Sequence, residues 1–86
     1  MKLNQMNGLT GDPEKDELLR LANRIKALRL RAGHHHYEKF ALGHGVARAQ
    51  YRGYELGANI TYSSLLRVMR ALDVSPEEFF SEGFDL

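Results

Sequence analysis

Residues 37–56 read YEKFALGHGVARAQYRGYEL, and the punctuation of this stretch decides the fold. A short segment, Tyr37 to Gly43, is followed by His44-Gly45-Val46 and then by a second segment, Arg48 to Leu56, closed by Gly57. Gly45 has no Cβ and can take the left-handed conformation that a sharp reversal needs. Two short helices joined by a three- or four-residue turn containing glycine is the helix-turn-helix plan. On a helical wheel Phe40 and Ala41 of the first segment, and Ala47, Tyr51 and Tyr54 of the second, face inward. Ala49, Arg52 and Gly53 fall on the opposite side, with Arg48 and Gln50 on its flanks.

Upstream, Asp12-Pro13-Glu14 marks a helix start: an N-cap oxygen, proline at the first helical position, then an acid favourable to the helix dipole. Leu18, Leu21, Ile25, Leu28 and Ala32 recur at steps of three or four and form one helical face. Gly33 ends that helix in the C′ position. Downstream, Ala58-Asn59-Ile60 is a loop and Thr61 an N-cap for a helix over 62–72, with Leu65, Val68, Met69 and Leu72 on one face. Ser75-Pro76-Glu77-Glu78 repeats the starting signature for a short fifth helix carrying Phe79 and Phe80. No segment alternates with period two for long enough to be a strand. The reading is an all-α, five-helix domain over residues 12–81, between a flexible N-terminal tail (1–11) and a C-terminal tail (82–86).

Eighty-six residues make one domain with one modest core, too small for a deep enzyme cleft between two layers. The absence of cysteine removes disulfides and thiolate zinc sites, and fits a reducing compartment. No apolar run approaches the roughly 20 residues that span a bilayer, and MKLNQMNGLTGDP lacks the apolar core of a signal peptide. The expectation is a cytoplasmic protein with no membrane association. The net charge is only +1, yet Arg20 to Arg52 holds eight Lys or Arg against one acid, Glu38, while both flanks are acidic. A basic middle of this kind suggests an electropositive face for a polyanion, or else one Arg-rich solvated helix.

The outward face of the third helix offers Arg48, Ala49, Gln50, Arg52 and Gly53. Arginine forks onto O6 and N7 of guanine, glutamine bonds adenine bidentately, and small residues let the backbone approach the base edges. Two local rules are broken here. Gly53 inside a helix costs about 1 kcal/mol relative to alanine, and Ala47 stands where an N-cap Ser or Thr would contribute about 1 kcal/mol.

Ile25-Lys26-Ala27-Leu28-Arg29, Phe40-Ala41, Gly45-Val46-Ala47-Arg48, Tyr54-Glu55-Leu56-Gly57, Ser64-Leu65-Leu66 and Ala71-Leu72-Asp73-Val74-Ser75 follow one another in an ordered set. That set resembles the phage repressor/Cro (Xre-type) helix-turn-helix family over roughly residues 20 to 80. The resemblance implies a lambda-repressor-like fold that binds double-stranded DNA, with 48–56 as the recognition helix. It also implies an ion pair between Arg29 and Glu55, and phosphate contacts from His36, Tyr37 and the loop around Asn59. The segment from Gly33 to Phe40 is one residue longer than the family's usual pattern and carries His34-His35-His36 in place of polar capping residues.

Three consecutive histidines invite a metal reading, but adjacent side chains do not converge on one ion and no second ligand cluster accompanies them. Neither a metal nor a cofactor is expected. The eight aromatic residues could offer stacking platforms for single strands, yet most fall on inward faces and read as core. Ser63, Ser64, Glu38 and the histidines form no nucleophile–base set, so no enzyme is expected. Two function classes stay open. One is a sequence-specific transcription regulator, a homodimer at least on DNA. The other is a protein-interaction module, such as an antitoxin-type protein, binding its partner through the acidic, Phe-rich segment 77–86.

Overall fold

The computed structural model describes residues 10–84. Apart from Thr10 and Gly11, the expected N-terminal tail lies outside the described residues, as do the last two residues of the expected C-terminal tail. The helices are α1 (Pro13–Arg31), α2 (Tyr37–Gly43), α3 (Arg48–Leu56), α4 (Tyr62–Leu72) and α5 (Pro76–Phe79), with no strand among the described residues.

The starts follow the side chains that can satisfy free backbone amides. Asp12 accepts from the N–H groups of Glu14 and Lys15, Thr61 from Ser64, and Ser75 from Glu78, with proline opening both α1 and α5. α2 and α3 start without such help, since neither His36 nor Ala47 makes a side-chain cap bond. These two helices are therefore held by packing. α3 lies against both α1 and α2, and α4 joins α1 to α5.

One core gathers all five: Ile25 and Leu28 from α1, Phe40 and Ala41 from α2, Tyr51 and Tyr54 from α3, Leu65, Val68, Met69 and Leu72 from α4, and Phe79 from α5. Four positions depart from the wheel. Ala47 and Ala32 are exposed because they are the caps of their helices, and Ala47 has extended backbone (φ −60°, ψ 139°). Leu18 and Leu21 are only half-buried, because the buried stripe of α1 runs through Asp16, Arg20, Ala22, Arg24 and Arg29 as well.

Those buried arginines correct the charge reading. Arg24 donates from Nε to the Phe79 carbonyl (2.7 Å), from Nη2 to the Glu78 carbonyl (2.9 Å) and from Nη1 to Glu82 (3.2 Å). Arg29 pairs with Glu55 and Arg20 with Glu17. Two of the eight bases between Arg20 and Arg52, Arg24 and Arg29, are thus internal staples that join α1 to later parts of the same chain, while Arg20 pairs within α1. The segment after α5 is drawn in by the same means, with Phe84 packed against the core beside Phe79 and Phe80.

Candidate nucleic-acid interface

α3 is fixed on one side and open on the other. Tyr51 and Tyr54 are buried, with Tyr51 edge-on to Phe40 at 5.4 Å and to Tyr54 at 6.1 Å between ring centroids. Near its C-terminus Glu55 accepts from Arg29 Nε (2.6 Å) and Nη2 (3.1 Å), while Arg29 Nη1 donates to the His34 carbonyl (2.6 Å). One guanidinium therefore ties α1, the α1–α2 connection and α3 together. The hydrogen bonds to Glu55 hold the Arg29 guanidinium protonated above its ordinary range, against the opposing effect of burial. Burial pushes the Tyr51 phenol, which sits beside this pair, well above its ordinary value. Gly57 then ends the helix at φ 105°, a left-handed position with Leu19 directly beneath it: a Cβ there would meet Leu19 Cδ2 at 3.2 Å.

Arg48, Ala49, Gln50 and Arg52 are all exposed on the free side, in one helical patch. Among the described residues no hydrogen bond or ion pair engages the Arg48 or Arg52 guanidinium, unlike the stapled arginines of α1. Gln50 Nε2 donates to the Tyr54 hydroxyl at 2.8 Å, one helical turn along. The Arg52 guanidinium carbon sits 5.1 Å from the centroid of the Tyr37 ring. Gly53 is half-buried, and its missing side chain points to the Ala58 methyl, 3.5 Å from where a Cβ would stand.

Of the residues expected at phosphates, His36 and Asn59 are exposed and Tyr37 is half-buried. His36 is the N-cap of α2, which begins at Tyr37. The structure brings Tyr37 to the exposed face of α3 through Arg52, a juxtaposition across fifteen residues that the sequence pattern does not signal. The Gln50–Tyr54 bond has the i, i+4 spacing that could have revealed it. The histidines do not converge as a metal group. His34 and His44 instead flank the Phe40 ring, each at 4.9 Å between centroids, and among the described residues no three metal-ligating side chains gather.

A family model described as "Helix-turn-helix" matches residues 25–79, from the middle of α1 to the end of α5. No curated protein and no solved structure matches the chain. No described helix is long and apolar enough to cross a membrane.

Proposed function

The chain belongs to the helix-turn-helix family of the phage repressor/Cro (Xre) type, whose members bind double-stranded DNA, and from that premise we propose that it is a sequence-specific transcription regulator. α3 enters the major groove. Arg48, Gln50 and Arg52 reach base edges, and Ala49 and Gly53 let the helix backbone approach. His36, Tyr37 and Asn59 lie towards the phosphates and set the register. The observation that carries this reading is the contrast between arginines. Arg24 and Arg29 have their donors taken up by the protein, whereas the guanidiniums of Arg48 and Arg52 stand exposed with their N–H groups unspent.

Two copies bind a pseudo-palindromic operator, with half-site centres about one helical turn, roughly 34 Å, apart. The test is selection from a randomised duplex library at about 0.15 M salt, a concentration at which non-specific phosphate binding is much weakened. Wild type should enrich a two-fold motif that vanishes in the Arg48→Ala/Arg52→Ala double variant. Salt-sensitive binding with no enriched motif would instead move the function to a protein partner at residues 77–86.

A further inference from the structure

Arg52 is exposed and long, and a side chain of that kind ordinarily samples many rotamers before it meets a base. Here it lies over an aromatic face that is itself held in place. The Tyr37 ring stacks on the Tyr51 ring, centroids 6.5 Å apart and planes 18° from parallel, and Tyr51 is 1% exposed in the core. The order runs from buried Tyr51 to half-buried Tyr37 to exposed Arg52, so the packing of the core is passed outwards to one guanidinium.

From this arrangement we infer that Tyr37 is a positioning residue for Arg52, setting base preference at the one position Arg52 reads; the inference rests on the DNA-reading role of α3 proposed above. A ring approached over its face attracts the cation through its quadrupole. All five N–H donors of a guanidinium lie in its own plane, so contact with a ring leaves the fork available to guanine O6 and N7. The free protein thus presents a partly ordered reader, and less freedom is lost on binding. The ring face carries this role and the hydroxyl does not, which separates it from a phosphate contact made through the phenol oxygen.

The experiment compares base-preference profiles of wild type, Tyr37→Phe, Tyr37→Leu and Arg52→Ala from the same randomised duplex library. Arg52→Ala identifies the base position concerned. Tyr37→Leu should lower the preference at that position by about two- to fivefold, the factor an exposed cation–π contact corresponds to, and leave the other positions alone. Tyr37→Phe should keep the wild-type profile. An unchanged preference at that position in Tyr37→Leu, or the same flattening in Tyr37→Phe, would overturn the role. A second measurement needs no variant to fold: in the DNA-free wild type the Arg52 side-chain protons should show an upfield ring-current shift, and normal shifts would also overturn it. If wild type enriches no motif, the DNA-reading premise fails and the positioning role falls with it, while the ring-current shift still reports the stack by itself.

Discussion

Arg29 and Glu55 meet side-on, through two N–H···O bonds of 2.6 and 3.1 Å, with their side chains only 5% and 9% exposed. A bidentate pair this well covered is strong in geometry, yet both charges have left water to make it. Removing one partner strands the other. Arg29→Met or Glu55→Leu should each lower stability by about 3–5 kcal/mol, a large share of the roughly 5–15 kcal/mol typical of a domain. The double variant should be more stable than the sum of the single losses implies, by urea unfolding. Additive losses would show that the two side chains are not coupled.

Arg24 holds the C-terminal segment by two backbone carbonyls and one carboxylate. Charge-assisted bonds of this kind contribute about 1.5–3 kcal/mol each at most, and Phe79 is completely buried behind them. Arg24→Met should therefore accelerate amide exchange over residues 76–82 well before it affects α2 or α3. Equal protection of that segment in variant and wild type would show that Phe79 packing alone suffices.

Gly53 has room for a methyl, since an added Cβ would make ordinary contact with Ala58 at 3.5 Å. Gly53→Ala should then raise stability by about 1 kcal/mol through helix propensity. Gly53 belongs to the proposed DNA-facing surface, so affinity for the selected duplex should fall while thermal stability rises. Stability and affinity rising together would remove Gly53 from the interface.

Asp16 accepts from the Thr10 amide (2.7 Å), the Thr10 hydroxyl (3.1 Å) and the Gly11 amide (2.9 Å). The Thr10 amide bond is the largest cause that holds its carboxyl below the ordinary 3.8, with burial opposing and the Gly11 amide assisting. Because the native carboxylate takes up its proton at lower pH than the unfolded one, its contribution is present above about pH 4. It is lost as pH falls through the native value. Asp16→Asn should be less stable than wild type at pH 7, and the gap should narrow between pH 5 and pH 2 in urea titrations. A gap independent of pH would mean that the carboxylate charge plays no part.

The helix starts were legible because their causes are local: Asp12, Thr61 and Ser75 each stand two or three residues from the amides they satisfy. The apolar face of α4 was legible for the same reason, its period being that of the helix. Ala47 does not face inward, because a cap has extended backbone, to which a helical wheel does not apply. The arginines of α1 looked like a solvated positive face, and nothing near Arg24 in sequence announces a partner 55 residues away. The exposed patch on α3 could be read from spacing alone. The stack of Arg52 on Tyr37 could not, since it depends on how the turn at Gly45 folds α2 against α3.

The proposed function requires α3 to read bases through arginines left free by the fold. Its most direct test is the affinity of wild type and Arg48→Ala for the selected operator and every single-base variant of it, at fixed salt. Arg48→Ala should lose discrimination at one base pair, by about 1–3 kcal/mol, and keep it elsewhere. A variant that binds all operators more weakly by one common factor, with the wild-type order of preference intact, would contradict it.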